Sequence, residues 1–417
     1  MSPDTPIELA EHLQIAKGLP GITRKEWLPG VITEQDIQLP EDLKLLEDLA
    51  IAVAVGGDNR EVAVIMEKAT GGVHHFTLAI QGRLSRDDEE AARRLFQVLR
   101  IPGADFPSQI RSVISSYATP GMERALRVVA EPLDEFEIKV QDWLETTFKW
   151  QDLKQELPSS EEVLARFPKP DGMSVKKYIT SLWMTLCESI LDGNGNARQL
   201  SQINTDEVFL LAAQLSGSRF LKRLLESNSE KQFIGSVRYK LAMLGRYWTC
   251  VGGLAHRFRL IDGRFDYSWV RETQPLEKAL RMTRVPQDII TCINPDIKMY
   301  CGYAVQDLVE QAAEQYKEDI VVSVHPEIQL ILNGKDNSAP YVGSSTGACF
   351  CCKLWIDDYN KRRGAKWEIT RSLEQPDETW AAPSPSGEDV MKMIHHEVTE
   401  MMYRTLMDAA GGYYDDD

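Results

Sequence analysis

The sequence predicts an α/β C-terminal domain with a mixed sheet, preceded by a largely α-helical region and a small N-terminal β-meander. Three observations carry this expectation. From about residue 291 onward, strand-like and helix-like stretches alternate. Between 106 and 290, long segments repeat apolar residues at three- and four-residue spacing. Residues 49–80, "LAIAVAVGGDNREVAVIMEKATGGVHHFTLAI", are β-branched apolar runs separated by Gly-rich turn signals. Three segments follow from this texture: 1–105, 106–290 and 291–417.

Taken in order, residues 1 to about 45 carry helical fragments broken by Pro and Gly, and look like an N-terminal extension. Residues 49–80 are expected to form three strands. His74 and His75 fall on the third, where neighbours face opposite sides, so they are expected to be structural rather than a joint ligand pair. The amphipathic stretch "DDEEAARRLFQVLRI" (87–101) is the candidate helix to cover that meander. The middle region supplies helices such as "FIGSVRYKLAMLGRYWTCVGGLAHRF" but no catalytic constellation. The last segment reads as helix "YAVQDLVEQAAEQYKED", strand "IVVSV", helix "PEIQLILN", strand "PYVGSS", helix "GACFCCKLWIDDYNKRR", strand "KWEITRS" and a final long helix.

Composition bounds the function classes. Hydrophobic content of 43% and charged content of 26% are those of a globular chain, and no apolar run reaches the roughly 18–20 residues of a membrane span. The start lacks a basic and then apolar leader pattern, and seven cysteines in 417 residues argue against a disulfide framework. A reducing compartment, cytoplasm or nucleus, is the expectation, not secretion. The net charge of −16 disfavours nucleic acid as a partner, although Lys361, Arg362, Arg363 and Lys366 form a local basic cluster, read here as a solvated helix end. From residue 291 onward there are 11 Lys or Arg against 22 Asp or Glu, which favours a small substrate over a polyanion.

Chemistry concentrates in two helix starts. In "SVHPEIQLIL", Pro326 suits the first helical position, so a strand delivers His325 to a helix N-terminus with Glu327 in the first turn. In "PYVGSSTGACFCCKLW", Ser344, Ser345 or Thr346 is available as the cap of a second helix. Cys349 and Cys352, three apart, share one helical face, whereas Cys351 lies about 200° round from Cys349 and is expected to point away. A histidine and a Cys-x-x-Cys at adjacent helix starts would make a three-ligand site of the kind zinc occupies with its fourth position open. A Cys349–Cys352 redox pair is the competing reading, and it leaves His325 and Glu327 unexplained.

H-x-E followed by C-x-x-C, each at a helix start, resembles the signature of the zinc-dependent cytidine-deaminase-like superfamily. More narrowly, "VHPEIQLIL", "PYVGSSTGACFCCKLWI" and "TWAAP" are similar to a divergent deaminase-like family common in fungal proteins. The resemblance covers roughly 291–417. It implies a three-layer α/β/α fold, one zinc per chain held by His325, Cys349 and Cys352, and Glu327 as proton shuttle rather than ligand. It implies hydrolytic deamination of a nucleobase, nucleoside, nucleotide or related amino-heterocycle, in which zinc-bound hydroxide attacks the ring carbon. A deaminase of single-stranded nucleic acid, or a zinc-binding regulatory protein without turnover, are the alternatives. Trp380 and Trp355 are candidates to stack on a base, and Ser345 to contact substrate. The sequence departs from the pattern twice. Ala348 stands where the superfamily has proline. The strand hairpin that normally precedes the H-x-E helix is missing locally, and "HRFRLIDGRFDYSWV" (256–270) is its candidate source.

Overall fold

The computed structural model describes residues 6–19, 40–54, 60–68, 73–146, 149–157, 160–193, 195–227, 231–261, 264–271, 277–293, 303–334, 340–369, 375–383 and 388–409. These form two compact units. One gathers residues 1–27, 61–84 and 265–417; the other comprises 28–60 and 85–264. The units therefore cut across the three segments read from sequence texture.

The first unit is mixed α/β. Its strands are β1 (Val62–Lys68), β2 (His74–Ile80), β3 (Phe265–Trp269), β4 (Glu277–Arg281), β5 (Asp319–Ser323), β6 (Tyr341–Ser344) and β7 (Glu368–Ile369). Its helices are α1 (Pro6–Gly18), α2 (Pro286–Ile293), α3 (Tyr303–Gln315), α4 (Pro326–Asn333), α5 (Phe350–Arg363) and α6 (Glu388–Ala409). Five strands make a mixed sheet in the order β3-β2-β1-β6-β7, with β1 antiparallel to both β2 and β6, and the two outer pairs parallel. Strands β4 and β5 form a separate antiparallel pair.

Three expectations change here. The start of the run "LAIAVAV", residues 49–53, is not a strand: it ends a helix, Glu41–Val53, of the second unit. A continuous apolar run does not distinguish the two, and "EDLKLLEDLAIAV" carries helical spacing once its acidic start is included. Helix Arg86–Leu99 likewise belongs to the second unit and not to the strands at 62–80. Its start is fixed by a capping box between Ser85 and Asp88. Helix α1 is no extension, because Leu13, Ile15 and Ala16 are fully buried in the same core as α4 and α5.

An antiparallel hairpin, β1 and β2, comes from about 250 residues before His325. Helix α4 packs on β1, β2 and β6. The stretch 256–270 supplies no hairpin: its first part ends the helix Lys231–Ile261, and only β3 joins the sheet. His75 on β2 bonds across to Asp266 (2.5 Å) and Ser268 (3.0 Å) on β3. The expected turns at 56–59 and 69–72, much of 1–45, and most of "KWEITRS" after Ile369 lie outside the described residues.

The second unit is helical. Its long helix Lys231–Ile261 packs on helices Thr205–Ser216, Glu41–Val53 and Thr119–Thr146. Gly245 permits the first contact: a Cβ there would stand 2.5 Å from the Ala213 Cα. Arg246 and Glu47 form a buried ion pair at 2.9 Å, and Arg257 binds Asp48 at 2.6 Å. No helix among the described residues is long and apolar enough to cross a membrane.

Candidate metal centre

Two helix starts and one strand start build the site. Residue 325 caps α4 in extended conformation (φ −66°, ψ 150°), with Pro326 at the first helical position, as the Pro pattern predicts. Strand β5 delivers it. Beyond β4, β5 is tied to the loop at 379–381, where Ser323 N–H donates to the Thr379 carbonyl (2.7 Å) and Ala381 N–H to the Ser323 carbonyl (2.8 Å).

The second helix starts later than expected. The cap of α5 is Cys349 itself, whose Sγ accepts from the Cys352 N–H at 3.5 Å; Ser344, Ser345 and Thr346 lie in β6 and the turn after it. Gly347, at φ 99°, makes that turn possible. A cap residue lies outside the helical period, so 100° per residue does not apply to Cys349. Cys351 is fully buried, outside the group of candidate ligands, yet close enough for Cys349 to push its thiol up.

His325, Cys349 and Cys352 are all buried, and their ligand atoms lie within 4.8 Å of one another. His325 Nδ1 is 3.7 Å from Cys349 Sγ. Tetrahedral zinc, with bonds of about 2.3 Å to sulfur and 2.0–2.1 Å to nitrogen, separates an S and an N ligand by about 3.6 Å. The donor set thus fits zinc in identity, and the Cys349–His325 separation fits its spacing.

Electrostatics agree with that fit. Burial pushes the Cys349 thiol up, but hydrogen bonds from Cys351 and Cys352 and the charge of His325 outweigh it, and its pKa falls well below the usual thiol range. Burial pulls His325 down, yet Cys349, Asp377 and Glu61 raise it well above the usual value. Such a thiolate–imidazolium pair can exchange its proton for a cation. Cys352 stays high, through burial and the neighbouring Cys349.

Glu327 is fully buried beside this set. Its Oε1 accepts from the Ser344 hydroxyl at 2.7 Å, and its Oε2 lies 4.0 Å from Cys352 Sγ. Burial raises its pKa against the pull of His325. Two more carboxylates flank the histidine. Glu61 Oε2 is 3.8 Å from Nδ1, and Asp377 Oδ2 is 3.9 Å from Nε2. Glu61 Oε1 accepts from Thr346 Oγ1 at 2.6 Å, and burial pushes its carboxyl up to about 8. Neither residue shows in a local motif: each stands alone in the sequence, and only the fold brings it here.

The remaining candidates have other surroundings. Ser345 exchanges bonds with Val62, its N–H donating to the Val62 carbonyl (2.9 Å) and its Oγ accepting from the Val62 N–H (3.0 Å). Trp355 is buried and stacked on Tyr359, ring centroids 5.0 Å apart. Trp380 is buried in the same core, bridged to Ser323 through the backbone. Gln329, inside the H-x-E-x-Q motif, has a role that spacing alone does not reveal. Its buried amide donates to the carbonyls of Val324 (2.7 Å) and Ile80 (3.1 Å), tying the histidine's approach to the end of β2.

Set beside known proteins, the chain matches no family model, no curated protein and no solved structure.

Proposed function

We propose that this chain is a zinc-dependent hydrolytic deaminase of a small amino-heterocycle: a nucleobase, nucleoside or related compound. One observation carries the reading: a buried Nδ1/Sγ/Sγ donor set at zinc spacing with a buried carboxylate, Glu327, at its edge. The β1–β2 hairpin packed against the H-x-E helix supports the cytidine-deaminase-like three-layer fold, because it fills the element missing upstream of His325.

Zinc, when bound, supplies a Lewis acid that makes water nucleophilic near neutrality. His325, Cys349 and Cys352 would hold it. Glu327 takes a proton and returns it. Burial keeps its affinity for that proton above an ordinary glutamate's, and the Ser344 hydroxyl fixes the Oε1 end so that Oε2 faces the ligands. Glu61 and Asp377 place two further carboxylates within 4 Å of His325. The carboxyl oxygens there can accept from an amino group, and the acidity of residues 291–417 disfavours phosphate. Cytoplasmic or nuclear placement belongs to the same proposal.

A second reading, a zinc-bearing regulatory protein without turnover, is favoured by the complete burial of His325, Glu327 and Cys352. Ammonia release from a panel of bases, nucleosides, nucleotides and short single strands separates the two. On the deaminase reading one substrate class releases ammonia, and Glu327→Gln abolishes that release while retaining zinc. Turnover that survives in Glu327→Gln refutes the proton role. Zinc-loaded protein inert across the panel leaves the regulatory reading standing.

A further inference from the structure

A second cluster of metal-ligating side chains lies at the other end of the sequence pattern, between the first and last helices of the α/β unit. Glu8 and His12 are four apart on α1 and share a face; His395 comes from α6. One ligand atom from each falls within 4.8 Å of the other two. The imidazoles of His12 and His395 stack with centroids 4.5 Å apart and planes inclined by 30°.

The hydrogen bonds around His12 fix its tautomer. Thr399 Oγ1 donates its only hydrogen to the His395 carbonyl at 2.8 Å. The contact between Thr399 Oγ1 and His12 Nδ1, at 3.2 Å, must therefore run the other way, with Nδ1–H donating. In the neutral ring that leaves Nε2 as a bare lone pair. It is buried in a side chain only 4% exposed, and it has no hydrogen-bond partner. A buried nitrogen lone pair left without a donor is costly, and a carboxylate and a second imidazole lie close enough to this ring to share a cation with it. The threonine on Nδ1–H is the outer-shell partner that orients a metal-binding histidine.

The neighbouring cation does not fill this role. Arg284 Nε binds Glu11 Oε2 at 2.6 Å, and Glu11 Oε1 also accepts from Thr283 N–H and Arg284 N–H. Arg284 Nη1 reaches Glu8 Oε1 only at 3.4 Å. Its charge is largely answered by Glu11, while it orients the Glu8 carboxylate.

We propose that Glu8, His12 and His395 form a second, thiolate-free metal site, which takes a zinc-like divalent ion and joins α1 to α6. Imidazole and carboxylate donors suit zinc or cobalt over the harder magnesium and calcium. The site is independent of the deaminase reading.

Metal content and cobalt spectra of the full chain test it. Wild type should bind two zinc ions, and His395→Gln one. Cobalt should fill two sites in wild type. One shows the intense near-ultraviolet thiolate-to-metal band. The other shows only weak visible bands, and these vanish in His395→Gln or His12→Gln. A Cys349→Ala/Cys352→Ala variant should lose the thiolate band and keep the second ion. If that variant fails to fold, the difference of one ion between wild type and His395→Gln decides alone. Equal zinc content and equal affinity in wild type and His395→Gln would overturn the proposal, leaving a stacked histidine pair. Absence of the thiolate band from wild type, with the weak visible bands present, would count against the cysteine site and not against this one.

Discussion

Gln329→Met isolates the bond pair that positions the histidine. Methionine keeps the length and volume of glutamine and removes both donated hydrogen bonds, to Val324 O (2.7 Å) and Ile80 O (3.1 Å), in a side chain only 3% exposed. A lost buried hydrogen bond costs about 1 kcal/mol, and about 2 where its acceptor is left dry, so two bonds amount to roughly 2–4 kcal/mol. At about 1.4 kcal/mol per tenfold, amides of α4 should exchange roughly 30- to 700-fold faster than in wild type. Peptide-level hydrogen exchange reads this directly. Peptides covering 319–334 and 74–80 should speed up, while those from the helix Lys231–Ile261, in the other unit, serve as the internal control. Because Val324 precedes His325, zinc affinity should fall with the same substitution. Unchanged exchange in 319–334 would show that the carboxamide contributes nothing net and that β5 alone holds the histidine.

Cys351→Ser should retain one zinc at the cysteine site but weaken it by about tenfold or more, as loss of an outer-shell hydrogen bond does. A loss of stoichiometry would instead make Cys351 a ligand. Gly245→Ala, which on an exposed helix would stabilise, should destabilise the helical unit by about 1–3 kcal/mol in denaturant melts, because its Cβ meets Ala213 backbone at 2.5 Å; a raised melting midpoint refutes the contact. Asp48 gives a pH test. Burial pushes its carboxyl up to about 7 against Arg257, so between about pH 4 and 7 the folded state holds a proton the unfolded state releases. Its contribution is complete below that window and lost as pH rises through 7. Asp48→Asn should remove that component, and melts whose pH dependence matches wild type across the window would show that Asp48 does not titrate there.

What was legible in the sequence had local causes. Pro326 at the first helical position, with an apolar strand before it, placed His325 within one residue. The helix α4 and its neighbours β5, β6 and α5 follow patterns confined to fewer than twenty residues each. The errors arose where a local pattern admits two answers. "LAIAVAV" is as good a helix end as a strand, and the choice depends on what buries it. Cys349 is a cap residue whose extended ψ of 166° breaks the helical period, so a rotation of 100° per residue does not fix where Cys351 lies relative to it. Nothing local marked α1 as core, because its burial depends on helices nearly 300 residues later.

Glu61 shows why the rest of the centre could not be read from motifs. Its place beside His325 follows from the register of two strands far apart in the chain. Val62 and Ser345 exchange bonds through N–H, carbonyl and hydroxyl, and Ala63 and Val64 pair with Ser344 and Gly343. That register sets Glu61 against the Thr346 hydroxyl and turns its free oxygen toward the imidazole. A slip of one residue would send Glu61 to the opposite face and bring a neighbouring side chain to the histidine. The candidate ligands are thus local, but the charges around them are not. His325 and Cys349 face each other across two helix starts 24 residues apart, whereas the charges around the imidazole come from Cys349, from Asp377 in a later loop, and from Glu61 beside a hairpin made early in the chain. Serine at 345, tied to Val62 beside Glu61, therefore bears on the candidate metal centre through register.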